Sequence, residues 1–322
     1  MSRAKNVHPV SARSLRAAAA RLRRGEIVAF PTETVYGLGA NALDPKAVAK
    51  IFAAKGRPAD NPIIVHVSDS KMLRRVAEPL SPRAKRLVAQ FWPGPLTLIL
   101  SKKSLVPSLV TAGLDTVAVR MPQGVARDLV RLAGVPVAAP SANVSGRPSP
   151  TTARHVAEDF PDVFVLDGGP TKHGVESTVV ALEPPRILRE GAIPGETLGK
   201  MIPGLRLAPS GIPSQPARSP GTKYKHYAPS RPLILFLRKS SLLAYAKAHP
   251  RALVLGPEHI SSLFPKQRFL SLGDSFEEIA RALFAALRTR RRGSELLALA
   301  VPRRGLGRAI MDRLERAATR IV

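Results

Sequence analysis

Three short stretches hold the side chains best suited to chemistry. "FPTETVYGLGA", residues 30–40, sets Thr32, Glu33, Thr34 and Tyr36 just behind the apolar run at 27–30. A bare turn takes Gly and Asn for positive φ and needs no such set of hydroxyls and a carboxylate. "KGRPADNP" places Lys55 and Arg57 two residues apart, and "PSANVSGRPSP" supplies Ser141, Asn143 and Arg147. With Arg120 in "VRMP" and Arg189 in "LREG", these cations flank Thr, Ser and Asn donors. The mixture suits an anionic ligand with several oxygens, such as a nucleoside triphosphate, because guanidinium forks grip phosphate and carboxylate through paired, charge-assisted bonds. Plainer roles also fit each piece. Lys55 and Arg57 suit a helix end, His66 suits an apolar strand, and Ser141 with Asn143 can hold a turn through side-chain to backbone bonds.

Other chemistries find no support. The chain has no GxxxxGK[ST] phosphate loop, and "GLGANA" lacks the third glycine of a dinucleotide fingerprint. No HExxH or close His/Asp/Glu cluster points to zinc, and with no Cys both disulfides and thiolate metal sites are excluded. No dedicated protein metal site is expected.

The elements that must position these residues alternate between helix and strand. Ser11–Arg24 reads as a helix closed by Gly25, 27–30 as a strand, and Asp44 with Pro45 opens a helix that ends at Gly56. Strands follow at "PIIVHV", "PLTLIL", "TVAVRMP" and "VPVAA", with helices between, one of them opened by Ser81 and Pro82. "STVVAL" and "RILRE" give a β-rich finish. Loops beyond strand ends are where open α/β sheets bind ligands, and the polar segments sit there. Between Pro203 and Pro229 the periodicity fails among six prolines, which reads as an extended, semi-rigid linker. From Arg231 a strand at "PLILFL", a helix at 240–249, a strand at "ALVLG", a helix at 274–288, a strand at "LLALAVP" and a last helix from about Leu306 imply a small, doubly wound parallel sheet. The expected division is 1–203, a linker at 204–230, and 231–322.

With 322 residues, 44% of them hydrophobic, the chain exceeds the length at which one core usually splits in two. Fifty Lys and Arg against 23 Asp and Glu give a net charge of +27, which favours anionic partners. Arg is spread through both halves, so a tight nucleic-acid interface does not follow, and direct tRNA binding is expected to be weak. The first 26 residues carry Arg throughout and lack the apolar core of a secretory signal, and no stretch reaches the ~18 apolar residues of a membrane span. A cytoplasmic protein without a membrane partner is expected.

"FPTETVYGLGA", "KGRPADNPIIVHV", "WPGPLTLIL" and "APSANVSGRPSPT", in that order, resemble the L-threonylcarbamoyladenylate synthase family with its YrdC-like domain, whose hallmark is K-x-R followed far downstream by S-x-N. Lys55 and Arg57 match the first half, Ser141 and Asn143 the second. "SPGTKYKHYAP" and the small α/β region after it resemble the two-domain branch, so the likeness spans nearly the whole chain. It implies a YrdC-like twisted mixed sheet with helices, joined by the Pro-rich linker to a small Rossmann-like parallel-sheet domain.

The implied activity is the formation of threonylcarbamoyl-AMP and pyrophosphate from L-threonine, bicarbonate or CO2, and ATP. Mg²⁺ is expected to accompany ATP, and a downstream transferase is expected to pass the threonylcarbamoyl group to tRNA. By similarity, Thr34, His66, Arg120, Ala139 and Ser177 line the threonine side, with residues 30–40 as one wall, their glycines letting backbone come close, and Arg120 gripping the carboxylate. Arg57, Asn61, Thr116, Ser141, Asn143, Ser149, Arg189 and Tyr227 line the ATP side. Lys55, Arg57, Ser141 and Asn143 form the catalytic set, with Lys55, Arg57 and Arg189 near phosphates and carbamate, and substitution of Lys55 or Arg57 is expected to spare folding. Lys223, Tyr224 and His226 are expected to act with Tyr227 as a lid. "QGV" after "VRMP", Ala181 after "STVV", and Thr222 in the linker depart from the family's usual residues. The alternative is a double-stranded RNA or tRNA-binding module without catalysis. An accessory carbamoyl-transfer domain is disfavoured, because the segments that accompany it are missing.

Overall fold

Element ends follow from caps written in the sequence. Ser11 opens the helix Ala12–Arg23 through reciprocal bonds with Ser14, and Gly25, at φ 72°, turns the chain away. Asp44 accepts from the Lys46 amide, Pro45 takes the first helical position, and the helix Pro45–Lys55 stops at Gly56, whose φ of 57° is left-handed. Ser81 and Ser275 cap Pro82–Phe91 and Phe276–Leu287. The latter starts two residues beyond the expected Asp274, because Asp274 directs its carboxylate to His259. These elements come from a computed structural model that describes residues 6–208 and 226–322.

Eleven strands form one mixed sheet. Its centre runs through Val28–Pro31, Tyr36–Asn41, Val137–Ala138, Val65–His66, Thr116–Arg120, Leu96–Ser101 and Thr178–Leu182. Val7–Pro9 and Phe164–Asp167 extend one side, and Pro185–Arg189 with Arg206–Leu207 the other. The segment 36–41, expected as a polar wall behind a strand, is itself a strand antiparallel to Val28–Pro31. Packing explains one of its glycines: a Cβ on Gly39 would lie 2.6 Å from the Phe30 ring and 2.7 Å from Val137. "PIIVHV" gives only Val65–His66 to the ladder, since Pro62 has no amide and Ile63 donates to the Val110 carbonyl.

The second sheet is wholly parallel, in the order Phe269–Ser271, Leu253–Gly256, Leu296–Leu299, Leu233–Phe236, Arg320–Ile321. Its three inner strands match the expected ones, and the two edge strands are short additions. Alternate side chains sort to opposite faces. Leu233, Leu235, Leu253, Leu255 and Leu296 pack with Phe284 and Leu314, while Ile234, Phe236, Val254 and Leu297 pack with Leu242 and Ala246. The first of these clusters also takes in Val35, Val175 and Tyr227, so the core of this second unit continues into the edge of the first.

Within the stretch expected as linker, Arg206–Leu207 pairs in parallel with Arg186 and Ile187. Lys223 and Tyr224 lie outside the described residues. The chain is described again from His226, and Tyr227 has φ 65°. The Ala228 amide then donates to the Gly146 carbonyl at 2.8 Å, which ties this segment to the S-x-N loop. Among the described residues no helix is long and apolar enough to cross a membrane.

Candidate active site

One cleft gathers most of the side chains singled out in the sequence. It is lined by Thr34, Lys55, Arg57, His66, Arg120, Ala139, Ser141, Asn143, Ser149, Ser177, Arg189, His226 and Tyr227, together with Thr32, Gly37 and Glu176. Gly56 accounts for the K-x-R spacing: its left-handed turn reverses the chain after the last helical residue, and the Arg57 amide returns to the Phe52 carbonyl at 3.1 Å.

Lys55 does not do what a surface helix end would do. It is only 2% exposed, and its Nζ donates to the carbonyls of Ser141, at 2.6 Å, and of Asn143. Its own carbonyl accepts from the Ser145 amide. The lysine of K-x-R therefore holds the S-x-N loop by its backbone, and the expectation that its loss spares folding is corrected on that ground. Burial, then the neighbouring Arg57, pulls its ammonium well below the usual lysine range. Half-buried Arg57 donates to the Asn61 and Pro62 carbonyls; burial and Arg189 lower it to about 10, so it stays charged near neutral pH.

At the other end, the Arg120 fork is largely committed. Nε donates to the Gly94 carbonyl at 3.2 Å and Nη1 to Thr34 Oγ1 at 2.9 Å. Nη2 lies 2.6 Å from Glu33 Oε1, with both side chains buried. That contact is an ion pair without hydrogen-bond alignment, which leaves both atoms short of a directed partner. Glu33 Oε2 accepts from the Gln123 amide, and Thr32 bonds the Thr34 hydroxyl at 2.8 Å. The polar cluster at 32–34 thus serves first to seat Arg120. His66, 3% exposed, is pushed down to about 3 by burial and by Arg120, so it is neutral. Its Nδ1 has no hydrogen-bond partner.

A bulge between Ile187 and Arg189 shifts the register just before Arg189, the last residue of its strand, which pairs with Val179. Arg189 donates from Nε and Nη2 to the Ser177 carbonyl and from Nη2 to its hydroxyl, which also bonds Thr97 at 2.8 Å. The adjacent Glu176 accepts from Ser149 Oγ at 2.6 Å and from Arg313 of the second unit. Burial would raise the Glu176 carboxyl, but Arg313 and Arg189 outweigh it and hold it at about 2. His226, lowered to about 4 by burial and Arg57, meets the cleft as a neutral ring, not as a cation. Tyr227 is buried, and its ring lies 5.2 Å from that of Phe284.

Two residues assigned to the ATP side do not line the cleft. Asn61 is buried beside it, and its backbone carbonyl holds Arg57. Thr116 starts the strand that Arg120 ends, paired with Ser101. Arg147 turns away to Asp159 at 2.8 Å. Glu33 stood in the quoted motif without a role, and neither Glu176 nor Arg313 was singled out; a buried carboxylate opposite a guanidinium from another unit has no local signature. Side chains of His66, Arg120, Asn143 and His226 each leave one buried polar atom without a hydrogen-bond partner. Such atoms are costly unless a ligand or water meets them. The cleft is built to receive something polar.

The family model described as "Telomere recombination" (Sua5_yciO_yrdC) matches residues 20–191. That described as "Threonylcarbamoyl-AMP synthase, C-terminal domain" matches residues 193–319. The threonylcarbamoyl-AMP synthase of Pyrococcus abyssi is 48% identical over 94% of this chain and 93% of its own length. That of Bacillus subtilis is 44% identical over 94% and 92%. The crystal structure of P. abyssi Sua5 complexed with L-threonine superposes with a TM-score of 0.90 at 46% identity, covering 98% of each chain. The chain belongs to the Sua5/YciO/YrdC family, in the branch that carries the threonylcarbamoyl-AMP synthase C-terminal domain.

Proposed function

We propose that this protein is an L-threonylcarbamoyladenylate synthase, a nucleotidyltransferase that joins L-threonine, bicarbonate or CO2, and ATP into threonylcarbamoyl-AMP with release of pyrophosphate. The observation that carries this reading is the convergence of Arg57, Arg120 and Arg189 on one cleft whose histidines are neutral and in which His66, Arg120, Asn143 and His226 each leave a polar atom without a hydrogen-bond partner. An RNA-binding module without catalysis would spread its cations on an open face, whereas Arg120 is 3% exposed and Arg189 9%.

In this reading the threonine amine becomes a carbamate. A carbamate oxygen then attacks the α-phosphorus as the bond to pyrophosphate breaks in line. Two anions must meet, so positioning and charge stabilisation outweigh a dedicated acid–base pair. Arg57 and Arg189 face the phosphates. Arg120 turns to the threonine carboxylate the N–H groups that Gly94 and Thr34 leave over, and Glu33, 2.6 Å from Nη2, competes with the carboxylate for them. Lys55 acts by fixing the Ser141–Asn143 backbone. Glu33 and Glu176 are tied to Arg120 and Arg313, so the residues present do not fit a resident metal, and Mg²⁺ enters bound to the triphosphate. The divisions 1–203, 204–230 and 231–322 place His226 and Tyr227 at the end of the linker. His226 and Tyr227 flank the nucleotide and keep water from the adenylate. The adenylate passes to a tRNA-modifying transferase in the cytoplasm.

With ATP and bicarbonate, pyrophosphate release should depend on L-threonine. Serine should be used less well, since the empty space of one methyl is worth about 1 kcal/mol. Equal release with and without threonine would overturn the reading.

A further inference from the structure

We infer that Arg313, in the last helix of the second unit, is a positioning residue for the nucleotide end of the cleft, acting through Glu176 to fix how Ser149 meets the ligand. The inference rests on the proposed reaction only in taking the ligand to be ATP. Arg313 lies in Leu306–Ala317, is fully buried, and spans the boundary between the two sheets. Its Nε and Nη2 each lie 3.0 Å from Glu176 Oε2. Nη1 donates to the Glu190 carbonyl at 2.6 Å and to Asp312 at 2.9 Å. Three partners at fixed angles need the planar fork; a lysine ammonium cannot reproduce it.

The consequence lies at the other oxygen. Glu176 Oε1 is 2.6 Å from Ser149 Oγ. An ionised carboxylate has no proton to give, so the hydrogen in that bond belongs to Ser149. Ser149 therefore faces the cleft with lone pairs alone. That suits a donor on the nucleotide, a ribose hydroxyl or a base amine, and not a phosphate oxygen. Arg313 also sits 5.7 Å from the centre of the Tyr227 ring, which lines the same cleft. Remove the guanidinium and Glu176 is a buried carboxylate short of its main partner; it then favours protonation, and the polarity of the Ser149 bond is no longer set.

The test uses the full chain, with ATP affinity measured by calorimetry and KM values from threonine-dependent pyrophosphate release. Arg313→Met should weaken ATP binding and raise the KM for ATP about tenfold, the value of one charge-assisted contact, and leave the KM for threonine within about twofold. Should that variant not fold, Arg313→Lys replaces it, with a smaller shift in the same direction expected. A folded variant with wild-type ATP affinity, or one in which both KM values rise equally, would show that Arg313 only supports the fold. If the wild type binds ATP but releases no threonine-dependent pyrophosphate, the proposed reaction fails, while weakened ATP binding in the variant still supports the role of Arg313.

Discussion

Strands of the large sheet end on buried cations, whereas the inner strands of the small sheet are apolar on both faces. Arg120 and Arg189 close the strands Thr116–Arg120 and Pro185–Arg189, while Leu233–Phe236 and Leu296–Leu299 carry aliphatic and aromatic residues throughout. Among the described residues, the buried polar and charged residues fall between Ser14 and Glu190 apart from Arg313, and the Arg288 side chain is also only 7% exposed. Arg313 shares its charge between Glu176, back in the first unit, and its neighbour Asp312, and Arg288 turns to Asp159 of the first unit. One sheet holds polar groups out of water for a ligand to complete. The other is a conventional core, and its two buried guanidinium groups reach into the first unit.

Removing Lys55 should break this arrangement most severely. Lys55→Ala leaves two carbonyls of the S-x-N loop without their donor, at about 1–3 kcal/mol each, so stability should fall by roughly 2–6 kcal/mol and turnover by at least about 100-fold. Denaturant midpoints and pyrophosphate release measure the two effects. A fully stable Lys55→Ala protein would mean that the loop does not depend on this clamp.

A cavity in the small sheet should do the reverse. Leu255 is fully buried, and Leu255→Ala should cost about 2–5 kcal/mol of stability while the KM for threonine stays unchanged in the folded protein. A change in that KM would show that packing inside the small sheet reaches the cleft through the contacts that Arg313, Arg288 and Val35 make between the units.

Acid should expose the stored polarity more gently. Burial, assisted by Arg120, Arg288 and Arg57 respectively, holds His66 at about 3 and His155 and His226 at about 4. Each lies below the ordinary 6.5, so the unfolded chain binds more protons in that window. Their contribution to stability is complete above pH 6.5, falls progressively below it, and is gone once pH has passed the folded values of about 4 and 3. Between pH 6.5 and 5 the loss should approach about 2 kcal/mol per histidine, and His66→Gln should flatten the slope measured by urea unfolding at each pH.

Much of this was legible locally. Asp44, Pro45 and Gly56 fix both ends of one helix because capping and left-handed φ are decided by the residues themselves. The second sheet was readable for a similar reason: parallel strands buried on both faces are continuous apolar runs. Less legible was the strand 36–41, whose glycines weaken any strand pattern, although one of them, Gly39, is demanded by Phe30 lying across it. The short strands Val7–Pro9 and Phe164–Asp167 were missed because each draws its pairing from residues more than 100 positions away.

The sequence by itself determined which residue types could bind an anion and the order in which they arrive, because K-x-R, S-x-N and the lone arginines are fixed along the chain. Only the tertiary structure decided what each is free to do. Lys55 is spent on backbone carbonyls, Arg120 is shared with Glu33, and His66 and His226 are neutral, since burial and neighbouring guanidinia are set by contacts between distant segments. Arg313 shows the limit most plainly: in sequence it is one arginine among many on an amphipathic helix, and only the packing of two sheets brings it 3.0 Å from Glu176.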